Sequence, residues 1–227
     1  FKTVVAMGGD GTVKVAGRII LQNDLKIPLG IIPSGSANVI AQELKLPFKI
    51  TEAIKLLARP EKFALLDAGI INNKHYFFVG FSLGHVSEVV AKTAVGLKKK
   101  LGFLGYFLSL ISSKTRLKTF KFEIQTRENK FKLEGNSLVV FNAVNYHGLK
   151  PRRKIFLDDG MFSLFVFTSK TLGVLLASFV FSLSHQKPPV KTFALDNDYF
   201  KIVMKEPMDS AQIDGDYIKV PRGFEFK

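Results

Sequence analysis

The spacing of apolar and polar positions changes character near residue 60. Before it, short apolar runs alternate with amphipathic ones. Val4-Val5-Ala6-Met7 ends in glycines, Val13 to Leu21 has helical spacing, and Leu29-Gly30-Ile31-Ile32-Pro33 is a second apolar run. Ala37 to Leu44 and Thr51 to Leu57 again read as helices. Strand, glycine loop and helix repeated in this order predict parallel α/β structure. Beyond Arg59-Pro60 the runs become strand-like: Phe63 to Ile71, His75 to Gly80, Phe120 to Thr126, Lys130 to Glu134, Ser137 to Val144, Met161 to Thr168, Tyr199 to Met204 and Ala211 to Ile213. Asn-Asn, Glu-Asn and Asp-Asp-Gly turns between them predict a mostly antiparallel β-sandwich. Two helical patterns interrupt it, Val86 to about Ser112 and Leu172 to Leu183. The expected organisation is an α/β domain over residues 1–59 and a β-sandwich domain over 60–227.

Composition narrows the class. A chain of 227 residues buries roughly 70% of its unfolded surface, enough for proper cores without staples. It has no Cys, which removes disulfides and thiolate metal sites and suits a reducing compartment. The longest apolar run, Leu172 to Leu183, is short of the ~18 residues of a spanning helix. With 33 basic against 19 acidic residues, a net charge of +14 steers the protein toward something negative. The basic residues are scattered, no nucleic-acid-binding pattern appears, and the 22 Phe stand among apolar neighbours as core residues do. Nucleic acid is therefore not the expected partner. The four histidines are too scattered for a metal site or a triad, and no GxSxG elbow is present.

The chemistry concentrates in two loops. Gly8-Gly9-Asp10-Gly11-Thr12 closes the first apolar run, and Ser34-Gly35-Ser36-Ala37-Asn38 closes the second. Glycines let backbone come close to a ligand, and the N–H groups of a following helix attract anionic oxygens. In a parallel sheet, loops at neighbouring strand ends flank one crevice. Asp10 suits Mg²⁺ or the proton of an attacking hydroxyl better than it suits a bare phosphate contact. The pair reads as a phosphoryl-transfer site, although Gly/Asp-rich turns of ordinary kind share this composition, and no Walker A pattern occurs.

GGDGT, then PLGIIPSGSANVIAQELKLP, and near the end Ala211-Gln212-Ile213-Asp214-Gly215-Asp216 together resemble the diacylglycerol kinase catalytic domain family. That family includes bacterial lipid kinases and sphingosine kinases and is distantly related to NAD kinases. Asn142, Tyr146-His147-Gly148 and Leu157-Asp158-Asp159-Gly160 extend the match. The resemblance implies an α/β nucleotide-binding domain, incomplete at its N-terminus, with a lipid-binding sandwich. It implies ATP and Mg²⁺ as cofactors and γ-phosphate transfer to the hydroxyl of diacylglycerol, a sphingoid base or a related lipid. An NAD kinase-like enzyme and a catalytically silent nucleotide or lipid binder remain the alternatives. ATP is expected on Gly8, Gly9, Asp10, Gly11, Thr12, Val13, Lys14, Ser34, Gly35, Ser36 and Asn38. Asp216 is expected as the base and Asp10 as the catalytic residue that helps hold Mg²⁺ and align the nucleotide. A second Mg²⁺ is implied on Asp159 with the carbonyls of Phe156 and Met161. The expected setting is cytoplasmic and peripheral to an anionic membrane surface, with a homodimer left open.

Departures from the family pattern fall at the site itself. Lys14 and Val15 stand where relatives have an amide or an acid, Val39 stands where many have Asp, and Asp216 is one methylene shorter than the usual Glu.

Overall fold

The structure is a computed structural model that describes residues 2–60, 62–87, 116–142, 157–175, 192–208 and 211–227. It opens with β1 (Val4–Gly8), α1 (Asp10–Gln22), β2 (Leu29–Pro33), α2 (Val39–Glu43) and α3 (Ile50–Ala58). β1 and β2 pair in parallel, with Gly8 opposite Pro33, so both glycine loops leave the same end of the sheet. Asp10 is in the first turn of α1, where a carboxylate complements the helix dipole. α3 packs across β2, and Leu57 lies against Gly30, where an added Cβ would come within 2.9 Å of it.

The rest is β. The strands are β3 (Gly69–Ile71), β4 (His75–Phe77), β5 (Gly80–Gly84), β6 (Phe120–Gln125), β7 (Lys130–Gly135), β8 (Ser137–Phe141), β9 (Phe162–Phe167), β10 (Thr192–Asn197), β11 (Phe200–Met204), β12 (Ala211–Ile213), β13 (Asp216–Ile218) and β14 (Gly223–Phe226). They form two antiparallel sheets of six, ordered β10-β9-β8-β5-β12-β13 and β4-β3-β14-β11-β6-β7. The second sheet has a polar outer face, whereas the outer face of the first carries Val139 and Phe167, buried against Val86 and Leu175. Phe81, Leu83, Leu138, Val140 and Leu164 from the first sheet meet Phe122, Ile124, Ile202, Phe224 and Phe226 from the second. Phe81 packs against Phe226 and Phe224 at ring-centroid separations of 5.1 and 4.7 Å. Each fully buried Phe contributes on the order of 2–3 kcal/mol.

Several elements differ from their sequence reading. Of the run Phe63 to Ile71, only Gly69–Ile71 joins a ladder. The stretch before it crosses from α3 to the sandwich without a neighbouring strand, leaving Phe63 and Leu65 exposed while Leu66 and Ala68 turn onto the α/β core. The run beginning at His75 is two strands, β4 and β5, that enter different sheets. β10, β13 and β14 were not anticipated. Of the two helical patterns in this half, only 85–87 and 172–175 are described, and both are helical.

The α/β core is shared. Ala6, Val13, Ile31, Ile40 and Ala41 surround Phe78, which arrives from the turn between β4 and β5. Gly17 makes this possible: a Cβ there would sit 2.7 Å from the far end of the Phe78 ring. On the opposite side, an open apolar groove of about 740 Å³ runs along β1 and α1, past Met7, Val15 and Ile19 to Gly11 and Thr12.

Candidate active site

The two glycine loops touch. A Cβ on Gly35 would lie 2.4 Å from the Cα of Gly9, and one on Gly9 would lie 3.1 Å from the Cα of Gly35. Only glycine at position 35 allows this approach, and a side chain at position 9 would be tight. The ladder continues across them, since the Ser34 N–H donates to the Gly8 carbonyl at 2.9 Å. Asn38, left-handed at φ 49°, closes the second loop on itself. Its Oδ1 accepts the Gly35 N–H at 2.9 Å and its Nδ2 donates to the Gly35 carbonyl at 2.7 Å. Asp10 then fastens one loop to the other, because its Oδ1 accepts the Ile40 N–H at 3.1 Å. The result is a rigid two-loop cradle whose outer surface carries Gly11, Thr12, Ser34, Gly35 and Ser36, all exposed.

The residues expected at the nucleotide therefore divide by geometry. Gly9, Gly35, Asn38 and Asp10 build the cradle. Gly8 lies under the Thr12 side chain. Val13 supports from beneath, with its side chain in the core and its N–H donating to the Gly9 carbonyl at 3.2 Å. At the cradle's rim the Asp10 and Gly11 N–H groups belong to the first turn of α1, which precedes any intrahelical acceptor.

The late acids come from a tight hairpin. β12 and β13 are joined by Asp214 and Gly215, both at positive φ (47° and 91°), the two-residue turn that Asp-Gly favours. Asp214 is not a surface turn residue. Its buried carboxylate accepts the N–H groups of Phe78, Val79 and Gly80 at 2.9, 2.9 and 2.8 Å, and its own N–H donates to the Gly80 carbonyl at 2.8 Å. Burial pushes its pKa up, against the pull of those N–H groups and of the Lys14 charge. Asp214 thus anchors the hairpin to the chain segment that also delivers Phe78 to α1. Two residues later, Asp216 projects from this anchor, 74% exposed at the side chain, and is ion-paired with Lys14 of α1, whose side chain is 15% exposed. The expected base and the residue after the glycine loop are thereby in direct contact across the two halves of the fold.

Asn142 and Asp67 support the same seam. The Asn142 Nδ2 donates to the carbonyls of Asp67 at 2.7 Å and Phe78 at 3.0 Å, and the Asp67 Oδ2 accepts the Gly160 N–H at 2.6 Å. The Asp-Asp-Gly turn is therefore tied to the crossing chain. Asp159 accepts the Met161 N–H at 3.0 Å, and Phe156 lies outside the described residues, as do Tyr146, His147 and Gly148. Sequence reasoning missed Asp214, Asp67 and Gly17 as site-building residues. The Asp-Gly dipeptide at 214–215 announced a turn, but nothing local signals that its carboxylate is buried.

With this geometry in place, comparison with known proteins is specific. Residues 1–67 match the family model described as the diacylglycerol kinase catalytic domain. The match ends at Asp67, on the crossing to the sandwich. A protein named probable lipid kinase YegS-like from Yersinia enterocolitica is 30% identical over 196 residues, which cover 84% of this chain and 65% of that protein's length. One of the same name from an Enterobacter strain is 27% identical over 230 residues, covering 96% and 74%. Among solved structures, a putative diacylglycerol kinase from Bacillus anthracis superposes over all of this chain and 74% of its own, with a TM-score of 0.72 and 25% identity. A yeast NADH kinase shares the fold at a TM-score of 0.54 and 10% identity. The fold is thus an α/β domain joined to a β-sandwich, as expected.

Among the described residues no three His, Cys, Asp or Glu side chains gather into a metal site. Mg²⁺ carried in with phosphates takes only one or two protein carboxylates and keeps its waters. Asp10, at the rim of the cradle, fits such a part. In the Asp159 turn, Asp159 accepts the Met161 N–H and Asp67 accepts the Gly160 N–H, and Phe156 lies outside the described residues.

Proposed function

We propose that the protein is an ATP-dependent lipid kinase that transfers the γ-phosphoryl group to the hydroxyl of diacylglycerol, a sphingoid base or a related lipid. The observation that carries this reading is the Lys14–Asp216 contact, which sets a carboxylate beside the helix that bears the glycine cradle. The names of the Yersinia and Enterobacter relatives support the same class.

The cradle binds the triphosphate through first-turn N–H groups of α1 and through Lys14. Asp10 would hold Mg²⁺, whose charge neutralises the phosphoryl oxygens. The lipid hydroxyl oxygen attacks the γ-phosphorus, the bond from that phosphorus to the β,γ-bridging oxygen breaks, and ADP leaves. Asp216 accepts the hydroxyl proton. Positioning and charge neutralisation supply most of the rate, as in phosphoryl transfer generally. Asp214 acts through Asp216, by fixing the hairpin that carries it.

The setting proposed for this chemistry is an anionic membrane surface, to which a net charge of +14 would draw the protein. No helix among the described residues is long and apolar enough to cross a membrane. The deciding experiment offers radiolabelled ATP and Mg²⁺ with mixed micelles of diacylglycerol, sphingosine or ceramide, and with NAD in a separate reaction. Label in one lipid, lost on Asp216→Ala or Asp10→Ala, is the expected result. Label in NAD alone, or activity that survives both substitutions, would overturn it.

A further inference from the structure

Lys14 faces two carboxylates of unequal freedom. Asp214 is buried and held by three backbone N–H groups, and it feels the Lys14 charge without depending on it for hydrogen bonds. Asp216, two residues on, is mostly exposed and is engaged by Lys14. Lys14 itself is in the second turn of α1, one turn beyond the N–H groups that front the cradle, and its stem is largely covered. A triphosphate in the cradle therefore meets an ammonium that is already committed to the base.

Both commitments cannot be kept at full strength. A carboxylate oxygen engaged by an ammonium is not free to take the hydrogen bond of a lipid hydroxyl. An ion pair with one exposed partner is also weak and readily exchanged, whereas a triphosphate presents several charges and many acceptor oxygens. We propose that Lys14 is shared between the base and the phosphate donor: without nucleotide it holds Asp216, and bound triphosphate draws it away, so that Asp216 becomes an effective base only when the donor is in place. This rests on the reading of Asp216 as the base. Lys14 is on this view a positioning residue as well as a phosphate contact. Asp214, held by three backbone N–H groups, keeps the hairpin that carries Asp216 in place opposite Lys14. The arrangement would hold back the base while lipid alone is present.

The test is made on nucleotide binding, without lipid and without turnover. ATP affinity is measured by calorimetry for the wild type, Asp216→Asn, Lys14→Met and the double variant, with thermal melting to establish that each is folded. Sharing predicts that Asp216→Asn binds ATP about two- to fivefold tighter than the wild type, since Lys14 is released from its competitor. Lys14→Met should bind more weakly, and Asp216→Asn should bring no gain in the Lys14→Met background. An equal gain with and without Lys14 would mean plain repulsion between Asp216 and the phosphates, and would overturn the proposal. So would no gain at all, or no ATP binding by any of the four proteins. Failure of the lipid assay with the predicted binding pattern intact would remove the kinase reading and leave the sharing of Lys14 standing.

Discussion

Gly9 and Gly35 are in backbone contact, so close that a Cβ on Gly35 would stand 2.4 Å from the Cα of Gly9. Two loops from different strand ends thereby become one surface. Gly35→Ala should push them apart, and because errors of about 1 Å in positioning can cost on the order of 100-fold in rate, kcat/KM for ATP should fall by about that factor. Gly11→Ala is the control. Nothing lies within 4 Å of a Cβ there, and alanine favours the helix, so thermal stability should hold or rise by up to ~1 kcal/mol. A Gly35→Ala protein with unchanged kcat/KM would show that the contact is dispensable.

Asp214 should matter more for stability than an exposed turn residue. Removing its carboxylate strands three N–H groups that it accepts, and each unsatisfied buried donor costs about 1–3 kcal/mol. Urea unfolding of Asp214→Ala should show a loss of about 3–5 kcal/mol, with Asp214→Asn losing less because one acceptor oxygen remains. A loss below ~1 kcal/mol would mean that water replaces the carboxylate.

The seam between α1 and the sandwich rests on Gly17 and Phe78. Gly17→Ala should destabilise by roughly 1–3 kcal/mol through overpacking. Phe78→Leu on the same background should recover part of that loss, giving a favourable coupling in a double-mutant cycle. Additive losses would place the strain elsewhere.

Glu43, at the end of α2, has its pKa raised from the ordinary 4.5 to about 6 by burial. The folded state therefore holds this proton more tightly than the unfolded chain. Stability should fall as pH rises from about 4.5 to about 6, and stay lower above that range. Glu43→Gln removes the titration. Its Tm should match the wild type near pH 4 and exceed it near pH 8, and parallel Tm curves across this range would contradict the assignment.

Much of the site was legible because its chemistry is local. Glycines at 8, 9, 11 and 35, with Asp10 and the neighbouring hydroxyls, fall in two short loops at the ends of apolar runs, so composition and order sufficed to single out the two loops that touch. The antiparallel half was legible where alternation was clear, as in β6 and β7, and where a continuous apolar run marked a strand covered on both faces, as in β9. It failed for the extended run at 63–68, whose apolar residues serve a crossing between cores, and for β13 and β14, which are short and flanked by polar residues. Asn38 is a related case. It was expected at the nucleotide, yet its amide clamps Gly35, because a left-handed residue beside a glycine loop is placed to satisfy that loop's own backbone.

The sequence by itself determined the strand–loop–helix order, the two glycine loops and the Asp-Gly hairpin, since each follows from backbone preferences and periodicity over a few residues. Tertiary structure alone decided that the hairpin's first acid is buried on the N–H groups of residues 78–80 and that its second meets Lys14. Those pairings join positions separated by 134 to 202 residues. No local preference encodes them; they arise when β1, β2, α1 and α2 close around Phe78 and the polar groups left at the seam must find partners.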